Sequence, residues 1–321
     1  MSNRVTLAQA AQMLADADRI LILTHQFPDG DTLGSGFALC RALRVLGKQA
    51  RVVCSDPIPE KYNYMFEDLP RQDFEPAFIC SVDVADEALL GEELQPYAPR
   101  VELCIDHHAS HRDYEQHLLL DAGMGATAML ILQVIEKLGV TLDSAMADCL
   151  YTGIATDTGC FKYSNVTPLT HRMAAQLIEA GAHHESINRA MFDIKSRARL
   201  ALEQMALQSI TYHYHDRCAV MVLTEDMMNA AGATENDMEG LSPLPRQIEG
   251  VWVGLTLRRK ADGNYKVSVR TGNHADAAEI CGLLGGGGHA RAAGCTLSGT
   301  AEEVIDRLLK TVAQAVPRIT G

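Results

Sequence analysis

This chain predicts an α/β fold in two domains, and three observations carry the prediction. Short, wholly apolar runs alternate with helix-period segments over the N-terminal half. The Asp and His residues of that half gather just past the ends of those runs. After about residue 185 the pattern changes to short strands separated by Asp, Gly and Asn turns. Apolar strands alternating with helices imply a parallel sheet covered by helices on both faces, and the remainder implies a smaller α/β domain with a mixed sheet.

Taken in order, residues 6–18 carry a helical pattern that leads into a strand at Arg19–Thr24. Leu33, Phe37, Cys40, Leu43 and Leu46 recur at helical spacing, and Gly47 supplies a stop. Strands follow at Ala50–Ser55, Phe78–Val82 and Val101–Ile105, then helices over 124–138, 143–155 and 168–180, the last ended by Gly181. A polar amphipathic helix over 196–211 reads as a connector. Beyond it lie strands at Cys218–Thr224, Val251–Leu257 and Tyr265–Arg270, a glycine-rich stretch at 285–288 and a final helix over 301–315. The expected division is a first domain at 1–185, a helical linker at 186–215 and a second domain at 216–321.

Composition narrows the function. The 321 residues are 47% hydrophobic and 21% charged, enough to build two cores and too apolar for disorder. Twenty-eight basic residues against 41 acidic give a formal net charge of −13. A protein that coats long duplex nucleic acid needs a basic face, so that class is excluded; a small anionic substrate needs metal ions or a local basic pocket to offset the field. Nine cysteines without a Cys-x-x-Cys pair read as reduced thiols in a reducing compartment. The longest apolar run in the first 25 residues is Ile20 to Leu23, so neither a signal peptide nor a membrane span is expected and a cytoplasmic location is. A homodimer is left open.

Four segments deliver acids and histidines to one expected edge. The first strand runs into His25-Gln26-Phe27-Pro28-Asp29-Gly30-Asp31. The third ends at Asp83, the fourth at Asp106-His107-His108, and a later segment adds Asp157 within Thr156-Asp157-Thr158. In an open α/β sheet the ligand crevice lies beyond the carboxyl ends of the strands. Five acids and three histidines converging there cannot all stay charged without cations. Mixed imidazole and carboxylate donors suit Mn²⁺ or a similar divalent ion. Two such ions, about 3.5–4 Å apart, share a water, lower its pKa and stabilise displacement at phosphorus.

These residues resemble the DHH phosphoesterases. His25-x-x-Pro28-Asp29-Gly30-Asp31-x-x-Gly34-Ser35, Val82-Asp83, Asp106-His107-His108 and Thr156-Asp157-Thr158 are similar to the family's four motifs in order and spacing. The C-terminal half resembles the associated DHHA1 domain through Asp237-x-Glu239-Gly240, Val267-Ser268-Val269-Arg270 and Gly285-Gly286-Gly287-Gly288-His289-x-x-Ala292-Ala293-Gly294. The short two-domain form is similar to the nano-RNase (oligoribonuclease) and pAp-phosphatase group. The resemblance implies two divalent ions, Mn²⁺ foremost, with His25, Asp29 and Asp83 holding one and Asp31, Asp83, His107 and Asp157 the other. It implies that Asp106 orients its neighbours and that His108 faces the scissile phosphate as a charge stabiliser or proton donor. It further implies hydrolysis of short oligoribonucleotides and of 3′-phosphoadenosine 5′-phosphate by a metal-activated hydroxide. His111 and Met129 depart from the family pattern, which commonly has Asn and Glu there, and are expected to bear on substrate preference.

At the substrate end, four glycines before His289 allow backbone N–H groups of Gly286, Gly287 and Gly288 to form an anion nest, with Arg270, His289 and Arg291 as side-chain donors. From Leu244 to Cys295, seven basic residues face four acidic ones, a local +3 that leaves −16 for the rest of the chain. The second domain is expected to grip the remaining phosphate and base of a short substrate. The nearest alternative is a cyclic-dinucleotide phosphodiesterase acting on cyclic di-AMP or the linear dinucleotide. From another class, a metal-dependent nucleotide sensor would bind nucleotide and release no product.

Overall fold

The computed structural model describes residues 2–238, 240–260 and 262–321. Glu239, in the Asp237–Gly240 motif, lies outside the described residues. Contacts divide the chain into two compact units, 1–194 and 195–321.

The first unit begins with β1 (Asn3–Arg4), α1 (Leu7–Asp16), β2 (Ile20–Leu23), α2 (Gly30–Val45), β3 (Ala50–Val53) and β4 (Phe78–Val82). It continues through α3 (Gly91–Leu94), β5 (Leu103–Asp106), β6 (His117–Leu120), α4 (Thr127–Lys137), α5 (Ser144–Asp157), α6 (Pro168–Glu179) and α7 (His184–Asn188). Its sheet runs β1-β6-β5-β4-β2-β3 and every pairing is parallel. The strands are apolar throughout because both faces are covered. Ile20 and Ile22 enter the large core under α2, α4 and α5. Leu21 and Leu23 enter a smaller one with Leu90, Leu94 and Ala98.

The connection through α2 carries the chain from β2 to β3 on one side, and β4 then pairs on the other side of β2. The switch point therefore lies between β2 and β4. Register levels the strand ends there: Leu23 pairs with Ser81 and Val82 with Ile105. His25, Asp83 and Asp106 consequently emerge at one height on one edge.

The second unit holds α8 (Arg197–Gln208), β7 (Thr211–His213), β8 (Cys218–Leu223), α9 (Glu225–Ala231), β9 (Val253–Arg259) and β10 (Tyr265–Thr271). It ends with α10 (Ala277–Gly282), β11 (Gly287–His289), β12 (Ala292–Leu297) and α11 (Ala301–Ala315). Its sheet, β11-β12-β10-β9-β8-β7, is antiparallel except for the β8–β9 pair, so it is mixed as expected. Val267 and Val269 of β10 pack with Ile280, Val304 and Leu308 of α10 and α11. The opposite face of β10 carries Lys266, Ser268 and Arg270.

The described cysteines are all free thiols. No helix among the described residues is long and apolar enough to cross a membrane.

The helices α2 and α5 approach closely at Gly34, where an added Cβ would stand 2.2 Å from the carbonyl oxygen of Cys149. Backbone cannot retreat there as a flexible side chain would. Gly34→Ala is expected to lower unfolding free energy by about 1–3 kcal/mol through overpacking. Urea denaturation checks this, and a midpoint equal to wild type would show that the helices slide apart freely.

Candidate metal centre and active site

Three of the acids at the sheet edge, Asp29, Asp31 and Asp106, are held by backbone amides. Asp29 is the N-cap of α2: its Oδ1 accepts from the N–H groups of Asp31 (3.0 Å) and Thr32 (3.1 Å). That leaves Oδ2 facing His25 Nε2 at 3.6 Å. Asp31, in the first turn of α2, is buried and caps a different helix. Its carboxylate accepts from Thr127 N–H (2.6 Å) and Ala128 N–H (2.8 Å), buried first-turn amides of α4, whose own N-cap Ala126 has no side-chain acceptor. Gly153 of α5 makes room for it, since a Cβ there would lie 2.8 Å from Asp31 Oδ1.

Asp83 follows β4 with a left-handed φ of +60°, a conformation that costs a non-glycine residue about 1–2 kcal/mol. Its Oδ1 accepts from Thr127 Oγ1 at 2.8 Å, and its Oδ2 lies 3.7 Å from His25 Nε2. Asp157 is the last residue of α5 and so does not follow a strand as the other acids do. A carboxylate there opposes the helix dipole and gains nothing from capping.

His107 gathers these acids. Its Nδ1 lies 3.1 Å from the Met124 carbonyl oxygen, to which it can only donate. Its Nε2 is buried without a hydrogen-bond partner. It faces Asp157 Oδ2 at 3.3 Å, Asp83 Oδ1 at 3.8 Å and Asp31 Oδ2 at 3.9 Å. Three carboxylates turned toward one ring nitrogen repel each other, and a cation lying among them would relieve that repulsion. The donor atoms of His25, Asp29 and Asp83, and separately of Asp31, His107 and Asp157, lie within 4.8 Å of one another. Both sets suit a hard or borderline divalent ion.

Protonation carries the same signature. Burial would lower the His25 imidazole, but the Asp29 and Asp83 carboxylates raise it to about 10. Burial, reinforced by Asp83, Asp157 and Asp29, pushes Asp31 well above the usual carboxylate range. Burial raises Asp157 to about 6, with the Asp83 and Asp29 charges adding to it against His107. In the absence of ions the edge thus takes up protons to relieve its charge.

Asp106 ends β5, fully buried, and its Oδ1 accepts from the His107 and His108 N–H groups and lies 2.8 Å from His108 Nδ1. That bond raises His108 to about 9 against the effect of burial. His108 remains 41% exposed and is the one histidine of the cluster open to a ligand. His111 and Met129 are both buried: the His111 side chain lies against Asp106 and Glu115, and Met129 turns from α4 into the core.

In the second unit, Arg270, Gly287 and Gly288 line a cavity of about 450 Å³ together with Ser242, Lys266 and Ser268. Arg270 Nη2 donates to Ser242 Oγ at 3.3 Å. The glycine stretch is the first strand of a hairpin and not a nest. Gly286 N–H donates to the Cys281 carbonyl (2.8 Å), which removes it from anion binding, and Gly288 is packed against Ala293. Arg291 is pinned by its Nη1 to the carbonyls of Gly272 and Ala275, and His289 is exposed at the end of β11. Neither lines the cavity. Thr127, Lys266 and Ser242 were not singled out by the sequence, because a lone Thr at a helix start, Lys in a strand or Ser in a turn carries no motif.

The DHH family, N-terminal domain, matches residues 19–154, and the DHHA1 domain matches 216–317. The bifunctional oligoribonuclease and PAP phosphatase NrnA of Thermus thermophilus is 34% identical over 93% of this chain and 90% of its own. The protein of the same name from Bacillus subtilis is 24% identical over 87% and 90%. Among solved structures, an exopolyphosphatase-related protein from Bacteroides fragilis superposes with a TM-score of 0.88 at 23% identity, covering 98% of this chain and 97% of its own. The chain belongs to the DHH–DHHA1 family of phosphoesterases and is a hydrolase of phosphoester bonds.

Because the ligands must shed protons to bind a cation, Mn²⁺ binding is expected to release protons and to tighten from about pH 6 to about pH 8. Calorimetry in buffers of different ionisation enthalpy measures both. Binding at neutral pH with no proton release would contradict the protonated edge described above.

Proposed function

We propose that this hydrolase is a divalent-metal-dependent enzyme of small nucleotides, cleaving short oligoribonucleotides to mononucleotides and 3′-phosphoadenosine 5′-phosphate to AMP. One observation carries the metal reading: the buried, partnerless His107 Nε2 faces three carboxylates from three separate elements. The substrate class is supported by relatives of nearly equal length whose names join those two activities.

In this reading His25, Asp29 and Asp83 would hold one ion, and Asp31, Asp83, His107 and Asp157 would hold the other. Mn²⁺ suits this imidazole and carboxylate set. Ions bound there supply Lewis acidity at phosphorus and a water of lowered pKa. The chain's own groups do the rest. Amides of α2 and α4 fix Asp29 and Asp31, so little ligand reorganisation accompanies reaction. Asp106 holds His108 by Nδ1, which leaves the exposed ring's other nitrogen for the reacting phosphate or its leaving oxygen. Within the second unit, the Arg270 guanidinium lines a cavity with Gly287 and Gly288 and brings to it a positive charge suited to a phosphate. The net charge of −13 repels long strands and tolerates short ones.

The test is a panel with purified protein and Mn²⁺: a ribodinucleotide, a short and a long RNA, 3′-phosphoadenosine 5′-phosphate, cyclic di-AMP and pyrophosphate. The dinucleotide and 3′-phosphoadenosine 5′-phosphate are expected to turn over fastest. Faster opening of cyclic di-AMP would make the chain a cyclic-dinucleotide phosphodiesterase, and binding without product would make it a sensor. Asp83→Ala is expected to reduce kcat by more than the about 10–100-fold typical of losing a group outside the ligand shell. Arg270→Ala is expected to raise KM about tenfold or more with a smaller change in kcat. An unchanged KM would remove Arg270 from the substrate site.

A further inference from the structure

Behind His108 the structure holds a buried chain of charged groups that the proposed reaction does not use directly. Asp106 Oδ2 lies 2.6 Å from His111 Nδ1, and His111 Nε2 lies 3.2 Å from Glu115 Oε2. The side chains of Asp106, His111 and Glu115 are all fully buried. Glu115 Oε2 also accepts from the Tyr114 N–H at 3.0 Å, and its Oε1 has no hydrogen-bond partner. The Tyr114 ring stacks on His111 with centroids 5.8 Å apart, and its hydroxyl is anchored to Ser81 Oγ (2.8 Å) and the Val84 carbonyl (3.2 Å). The imidazole is thus clamped in one orientation, each nitrogen against a carboxylate. Carboxylates only accept, so both nitrogens donate and the ring is an imidazolium. Burial alone would oppose that charge, yet the two carboxylates raise His111 to about 9.

We propose that His111, oriented by Glu115, is a positioning residue for catalysis: its Nδ1–H fixes the Asp106 carboxylate so that Asp106 Oδ1 holds His108 toward the substrate. The inference rests on the reading of His108 as the group beside the reacting phosphate. Its logic is directional. Asp106 Oδ1 is held by the His107 and His108 N–H groups and faces His108 Nδ1, whereas Oδ2 faces His111 Nδ1, so losing the His111 donor leaves the carboxylate anchored at one oxygen and able to tilt away from His108 Nδ1. The Glu115 contact keeps the second ring proton in place and so keeps the ring charged. Isolated ion pairs of this kind are poor stabilisers, because removing three charged groups from water offsets their attraction. A triad kept for stability alone is therefore a weak explanation.

Two amide substitutions separate the two nitrogens. His111→Asn places an amide where Nδ1 stood and keeps the link to Asp106, whereas His111→Gln places one where Nε2 stood and keeps only the link to Glu115. At saturating metal, His111→Gln is expected to lower kcat on the ribodinucleotide about 10–100-fold with KM within about twofold. His111→Asn, the conservative variant for the nitrogen that matters, is expected to recover most of that loss. Equal losses in both variants, a His111→Gln kcat within about twofold of wild type, or a change confined to KM would overturn the proposal. A second measurement needs neither substrate nor metal. NMR of isotope-labelled histidines in the metal-free protein at about pH 7.5 is expected to show both His111 nitrogens protonated. It is also expected to show a protected His108 Nδ1 proton that His111→Asn keeps and His111→Gln loses. A neutral His111 ring, or an unchanged His108 proton in His111→Gln, would overturn the proposal even if both variants fold. If wild type cleaves none of the substrates, the functional reading fails by itself and the NMR result still decides the linkage.

Discussion

Charge crowding at one edge of a parallel sheet is the constraint on which the rest of this structure depends. Asp31 and Asp157 present oxygens within 4.8 Å of each other. At an effective dielectric of about 20, two carboxylates that close repel by about 3–4 kcal/mol. Asp83 and Asp29 lie around the same histidines, so the repulsion compounds. The chain meets it by giving backbone partners to Asp29 and Asp31. Asp29 starts α2, and Asp31 starts α4 from outside that helix. The bonds that cap the two helices therefore also fix the carboxylates at the sheet edge. The packing of α2 between α4 and α5 follows, because Asp31 reaches the α4 amides only where Gly153 lets α5 stand close.

That arrangement explains where strain is tolerated. Asp83 sits in the left-handed region at the switch point between β2 and β4, where its carboxylate meets both Thr127 and His25. Its Oδ1 accepts from Thr127, and its Oδ2 faces His25. An extended residue at that position would carry the carboxylate along the strand and away from one partner. The second unit follows a different plan. One face of its sheet packs on α10 and α11, and the other sets Lys266, Ser268 and Arg270 side by side on β10. Alternation along a strand is sufficient to make a basic, ligand-sized surface on an acidic protein.

Much of this was legible in the sequence, for reasons particular to its residues. Strands β2, β4 and β5 read as apolar runs because helical layers cover both faces, and the acids stand directly after them. The four-segment cluster was visible because Asp and His at strand ends are few and chemically loud. What escaped was set by partners distant in sequence. Strand β6 opens on His117 and pairs beside β5 with only four residues, too short for a period to register. Strand β12 reads Ala-Ala-Gly-Cys-Thr-Leu, and its strand character comes from the β10 ladder and not from propensity. The glycine run suggested an open nest, whereas pairing with β12 makes it a hairpin and uses Gly286 N–H locally.

The placement of Asp157 and of His111 shows how a site differs from the fold that carries it. A carboxylate at the C-terminus of α5 is opposed by the helix dipole, by burial and by its neighbours' charge, and burial leads the rise of its pKa to about 6. A buried imidazolium between two carboxylates is likewise a poor use of interior space when judged by stability. Apolar residues of similar volume would fill either position at lower cost. Both groups lie within one or two residues' reach of His107 and His108, where unfavourable electrostatics in the ion-free chain become favourable once cations are bound or charge develops on a phosphate. Local rules of propensity and capping account for the helices and strands; the residues that break those rules mark the chemistry.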